Sequence, residues 1–156
     1  RAVEGMDAVA NLAIHNPGQA RTQPYFQYIQ DDVAVGVKGT DMLLYAAKEA
    51  GVKRFVYTSS LNVYSAKYPK AGEFLRDSDE VLSAEHYGTI KWLAEELCRH
   101  YALRQGVPTF VLRLNSVTSR DRWVADGKDL RTPDYACTRV HIDDVVLVAA
   151  QTRPES

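Results

Sequence analysis

Cysteine is scarce in this chain of 156 residues: Cys98 and Cys137 are the two present, too few for a disulfide framework. Cys98 falls within a helical pattern, where a small buried thiol is the expected role. An excess of charge of one sign is also lacking. Lysine and arginine number 19 against 20 aspartates and glutamates, a net charge of −1, so no basic face is offered and nucleic acid is not an expected partner. No apolar run approaches the length of a membrane span and no signal-peptide pattern opens the chain, so a membrane is not expected and the cytoplasm is the expected setting. His15, His86, His100 and His141 stand at no metal-ligand spacing from the cysteines or carboxylates, and no metal is expected. There is no internal repeat and no low-complexity tract.

What remains is 46% hydrophobic, enough for one real core. The short apolar run from Asp7 to Ala13 suits a buried strand, and Asn16 to Pro24, with Pro17-Gly18, reads as loop. From Asp31 or Asp32, the residues Val33, Val37, Leu44 and Ala47 recur at helical spacing, with Gly51 as the stop. Lys53 to Ser59 follows as a strand. Ser65 to Ala84 is polar and crosses the surface as a loop. A second helix is expected from Ala84 to Gln105, with Tyr87, Ile90, Ala94, Leu97 and Tyr101 on one face and Gly106 at its end. Val107 to Leu114 returns as a strand, and Thr118 to Thr138 shows no periodicity. Arg139 to Ile142 is expected to be extended and to lead into a helix capped by Asp143 or Asp144. Helices alternating with short apolar strands predict an α/β fold with a parallel sheet. Function in such sheets gathers beyond the carboxyl ends of the strands, where Ser59 and Ser60 lie.

Tyr87 and Lys91 carry the clearest chemistry. Four residues apart on a helix, they share one face. A phenol titrates near pH 10, and a neighbouring ammonium that stabilises the phenolate would let it move a proton at neutral pH. That combination points to oxidation and reduction of an alcohol.

The segment from Val35 to Ser60, which includes Val37-Lys38-Gly39-Thr40 and Phe55-Val56-Tyr57-Thr58-Ser59-Ser60, resembles the middle of the extended short-chain dehydrogenase/reductase family. That family includes nucleotide-sugar epimerases and 3β-hydroxysteroid dehydrogenases. Val63-Tyr64, Tyr87-Gly88-x-x-Lys91, Leu112-Arg113 and Arg139-Val140-His141-Ile142-Asp143-Asp144-Val145 follow in the family's order, so the resemblance runs from about Asp7 to about Ala150. It implies a Rossmann-like, doubly wound parallel sheet lacking its first strands. Residues 1–117 would be a partial NAD(P)-binding domain, and 118–156 the remnant of a substrate-binding region with a closing helix. The family's glycine-rich phosphate turn is not in the sequence. Because a sheet starting at Asp7 would expose a buried-type edge, the chain is expected to be the visible part of a longer one.

The resemblance further implies that Ser60, Tyr87 and Lys91 are catalytic, Tyr87 as acid/base, Ser60 holding the substrate oxygen, and Lys91 lowering the tyrosine pKa. Leu12, Ala13, Ser59, Tyr87 and Lys91 would line an NAD or NADP site, and two long helices would form a homodimer. Arg113 and His141 match family positions, though Arg113 serves equally as a structural ion-pair partner and His141 as a surface histidine. Two departures narrow the chemistry. Gly36 stands where the family often has asparagine, and Leu61-Asn62 replace the Asp-Glu pair that sugar-nucleotide dehydration requires. The expected enzyme is an NAD(P)-dependent oxidoreductase or epimerase acting on a sugar, sugar acid or related secondary alcohol. The alternatives are a 3β-hydroxysteroid-dehydrogenase-like enzyme and an inactive dinucleotide-sensing or partner-binding relative.

Overall fold

The computed structural model describes residues 3–15, 24–67, 75–76, 78–119, 121, 139–141, 143 and 145–146. Strands β1 (Ala8–Asn11), β2 (Arg54–Ser60) and β3 (Thr109–Leu114) form a parallel sheet in the order β1-β2-β3. The register sets Ala8 beside Arg54, Phe55 beside Thr109 and Ser60 beside Leu114. Helix α1 (Tyr25–Val33) runs through a π turn (Ala34–Lys38) into α2 (Gly39–Glu49), and α3 (His86–Gln105) connects β2 to β3. Two short strands, β4 (Ser116–Thr118) and β5 (Arg139–His141), make a separate parallel pair. The expected α/β, Rossmann-like parallel architecture is therefore present.

The core lies where α2 and α3 meet the sheet. Leu44 and Ala47 from α2, Phe55 and Tyr57 from β2, and Ala94, Cys98 and Tyr101 from α3 form one buried cluster. Phe55 is fully buried, which is worth roughly 1.5–3 kcal/mol relative to exposure. Cys98 is buried as its pattern suggested, and the surrounding protein pushes its thiol up to about 12. Helix α3 stops at Gly106, whose φ of 71° is a left-handed cap that residues with a Cβ adopt at a cost.

The first helical segment differs from expectation in two ways. It begins at Tyr25 instead of Asp31, because Pro24 introduces a first turn whose Tyr25 and Phe26 are exposed and so carry no apolar periodicity. It also contains the π turn. Asp32 and Thr40 are eight residues apart, which on a regular helix leaves them about 80° out of line; the extra residue removes a step of about 100°, so they come within about 20°. Both are buried, and Val33, expected on the buried face, is exposed instead.

Among the described residues of 65–84 there is no helix or strand, in keeping with a loop. Asp143, Val145 and Val146 are helical. Most of 16–24 and 118–138, together with Ile142 and Asp144, lie outside the described residues. Among the described residues no helix is long and apolar enough to cross a membrane.

Candidate active site

Ser60 is the last residue of β2, and the chain turns there into a 3-10 segment, Leu61–Tyr64. The Ser60 hydroxyl caps that segment by accepting the Asn62 N–H at 3.2 Å. Helix α3 starts against the same segment. A Cβ on Gly88 would overlap Ser83 Oγ and the Asn62 carbonyl, so only glycine lets the helix approach this closely. Its entry is held by the Ser65 hydroxyl, which accepts the Ala84 N–H at 2.9 Å.

This approach brings Tyr87 into the same cavity wall as Ser60. One turn on, Lys91 is buried. Its Nζ donates to the Thr58 carbonyl at 2.7 Å, and lies 5.0 Å from the centre of the Tyr57 ring and 5.9 Å from that of Tyr87. The structure thus brings Ser60, Tyr87 and Lys91 together. They share a cavity of about 460 Å³ with Leu12, Ile14 and Asn115 at the carboxyl ends of the strands. A larger cavity of about 810 Å³, between α3 and β3, is lined by groups such as Arg113, Glu95 and Leu103 and includes none of the three.

Burial dominates the electrostatics of the pair. Burial raises the Tyr87 pKa above the ordinary value, the neighbouring Ser60 hydroxyl opposes the rise, and nearby Asp32 adds to it. Burial likewise lowers Lys91, against the stabilising charges of Asp32 and Glu95. Burial thus outweighs the neighbours that favour ionisation of the phenol, and the Lys91 ammonium is turned to the Thr58 carbonyl.

Residues 1–153 match the model of the NAD dependent epimerase/dehydratase family. The chain belongs to that family. It is 32% identical over 124 residues to GDP-mannose 3,5-epimerase 1 of Oryza sativa subsp. japonica, covering 75% of this chain and 31% of that protein. It is 37% identical over 81 residues to a 3 beta-hydroxysteroid dehydrogenase/Delta 5-->4-isomerase of Mycobacterium tuberculosis, covering 52% of this chain and 20% of that protein. Among solved structures, a short-chain dehydrogenase/reductase superfamily protein from Agrobacterium tumefaciens with bound NAD is 33% identical. Its TM-score is 0.63, over 76% of this chain and 34% of that one. The chain spans less than half the length of these relatives.

The other family positions fall as follows. Leu12 is exposed to the cavity. Ala13 is also exposed, and its N–H donates to Asn11 Oδ1 at 3.1 Å. Asn11 in turn donates to Thr40 at 3.0 Å, pinning the end of β1 to α2. Ser59 lines the cavity, while its hydroxyl donates to Glu95. Arg113 takes the ion-pair role: Nε and Nη2 donate to the Glu95 carboxylate, the latter at 2.7 Å, and Nη1 donates to the Tyr64 hydroxyl. The His141 side chain lies outside the described residues. At Gly36 a Cβ would overlap Ile90 Cγ2, so α3 occupies the space a side chain would need.

Sequence reasoning missed Asp32, read only as a helix start, and His86. Asp32 Oδ2 lies 3.3 Å from His86 Nε2. The available signal was an acidic residue eight positions before a buried threonine, and it is hidden unless the π turn is known.

Proposed function

We propose that the chain is part of an NAD- or NADP-dependent enzyme that oxidises, reduces or epimerises a secondary alcohol of a sugar, sugar acid or nucleotide-sugar, with Ser60, Tyr87 and Lys91 as its reacting group. The observation that carries this reading is that Ser60, Tyr87 and the buried Lys91, whose ammonium is anchored on the Thr58 carbonyl and lies 5.9 Å from the Tyr87 ring, line one cavity at the strand ends. The cavity suits a nicotinamide nucleotide. Leu12 and Ile14 leave apolar surface uncovered for a flat ring, and Lys91 has donors beyond the one given to Thr58. Leu12, Ala13, Ser59, Tyr87 and Lys91 would hold the group, and when bound it supplies hydride transfer.

The chain's own residues divide the remaining work. Tyr87 takes or returns the hydroxyl proton of the substrate. Ser60 hydrogen-bonds the same oxygen and holds it against Tyr87, a contribution of a few kcal/mol where charge develops. Lys91, kept in place by the Thr58 carbonyl, sets a positive charge at the wall of the cavity. Residues 118–156 would belong to the substrate-binding side, and the enzyme would act in the cytoplasm. Exposed Met42 and Tyr45 on α2 and Trp92 and Leu93 on α3 support a homodimer through these helices. A second reading, an alcohol on an apolar skeleton such as a steroid, is favoured by Ile14, Leu114 and Val117 in the cavity wall.

The test is turnover of the full-length protein on a panel of UDP- and GDP-sugars, free sugar acids and 3β-hydroxysteroids, read by nicotinamide absorbance and product analysis. Tyr87→Phe should lower kcat by about 10²- to 10⁴-fold with cofactor affinity retained. An unchanged rate would remove Tyr87 from the chemistry. Unchanged cofactor binding with no turnover by either form would favour the sensing relative.

A further inference from the structure

The two halves of the candidate reacting group come from different elements, Ser60 from the end of β2 and Tyr87 from the first turn of α3. The backbones of those elements approach each other at Gly88, the residue after Tyr87. Gly88 is buried, and a Cβ on it would overlap Ser83 Oγ and both atoms of the Asn62 carbonyl. A serine hydroxyl can swing aside, but a carbonyl moves only with its backbone. Gly88 is not among the glycines with positive φ, which are Gly5, Gly51 and Gly106. Its own conformation therefore does not call for glycine, and alanine is the better helix former. The contact with Asn62 is what calls for it.

Both sides of this contact are anchored. Next to Asn62 in the 3-10 segment, Val63 is fully buried and Tyr64 nearly so, and along α3 the side chains of Ile90 and Ala94 are buried. The Ser65 hydroxyl ties the two together: it accepts the Ala84 N–H at 2.9 Å and hydrogen-bonds with Ser83 Oγ at 3.1 Å. A side chain at position 88 is therefore accommodated by movement of the Asn62 backbone.

That backbone holds the Ser60 hydroxyl. The Asn62 N–H donates to Ser60 Oγ at 3.2 Å, and the Asn62 carbonyl accepts the Ser65 N–H at 3.1 Å. The two groups flank one Cα in a turn of four residues, so displacing the carbonyl disturbs the N–H. With a lone pair of Ser60 taken by that N–H, its O–H remains to be donated, which is the direction required by a substrate oxygen that gains charge.

We propose that Gly88 is a positioning residue. By letting α3 meet the Asn62 carbonyl with no side chain between them, it keeps the Asn62 N–H on Ser60 Oγ and so fixes the direction of the Ser60 hydroxyl and its separation from Tyr87. The proposal rests on Ser60 and Tyr87 being the reacting group. Gly88 touches neither substrate nor cofactor, and it acts through Asn62 on Ser60.

The test uses the full-length protein with NAD bound. Amide hydrogen exchange at Asn62, followed by NMR, should quicken at least about tenfold in Gly88→Ala and in Ser60→Ala, and the double variant should exchange no faster than the quicker single one. An Asn62 rate unchanged in Gly88→Ala overturns the proposal. Turnover is then measured on whichever UDP-sugar, GDP-sugar, sugar acid or 3β-hydroxysteroid the wild type converts fastest. Gly88→Ala should lower kcat by about 10²-fold, with the NAD dissociation constant within about twofold. In the Ser60→Ala background the same substitution should change kcat by less than about threefold, because the hydroxyl it acts through is gone. A structural defect alone would lower kcat by one factor in both backgrounds, and that result overturns the proposal. If Gly88→Ala does not fold, exchange in Ser60→Ala decides: an Asn62 amide no faster than in wild type overturns the proposal. Failure of the underlying reading is distinguishable, because it shows as absent NAD binding or as wild-type turnover in both Ser60→Ala and Tyr87→Phe. Failure of the proposal alone leaves NAD binding and the losses in those two variants intact.

Discussion

Two buried charge clusters sit on α3, one turn apart, and they are built in opposite ways. At Glu95 every polar atom has a use. The carboxylate accepts from Ser59 and from two nitrogens of Arg113, and Arg113 also donates to Tyr64, ringed by α3, β2, β3 and the 3-10 segment. At Tyr87 and Lys91 burial opposes the charged forms, and nearby Asp32, His86 and His15 present unmatched atoms. A buried ion pair with its hydrogen bonds complete holds one arrangement, whereas incompletely matched groups persist where something else is to be bound or a proton moved. The contrast marks the Glu95 turn as structural and supports the proposed chemistry at the turn before it.

The comparison breaks most sharply at Glu95. Glu95→Ala removes the carboxylate that Arg113 pairs with in a largely buried position, and should lower stability by about 3 kcal/mol in denaturant unfolding; a loss near zero would mean the pair does not organise the fold. At Lys91 the order of effects should reverse. Lys91→Met removes a desolvated charge, so unfolding should change by no more than about 1 kcal/mol, while NAD affinity measured by calorimetry falls at least about tenfold. Equal loss in both measurements would make Lys91 a structural residue like Glu95. The smallest effect belongs to the exposed pair Lys67–Glu80, whose side chains are both more than half exposed. Lys67→Gln should leave the thermal midpoint unmoved, because ion pairs in water contribute little.

Much of this contrast was legible in the sequence, and its missing half has one cause. The strand ending in Ser60 and the helix from His86 to Gln105 follow from periodicity and the Gly106 stop, spacing places Tyr87 and Lys91 on one helix face, and the family resemblance adds Ser60 to them. The Glu95–Arg113 pair spans 18 residues and two elements, and no local pattern marks it. Asp32 was hidden for a different reason. A uniform period of 3.6 residues turns it away from Thr40 and puts Val33 inside, and the π turn between them reverses both placements. The direction of the Tyr87 shift was equally out of reach, since it depends on burial and on that same aspartate.

The Gly36 contact has a consequence for substitution at positions 36 and 90. Because Ile90 Cγ2 fills the space that a side chain at position 36 would occupy, the two positions are sterically coupled. A side chain at 36 requires that of residue 90 to turn aside or shrink, so substitutions at the two positions should not be additive in stability.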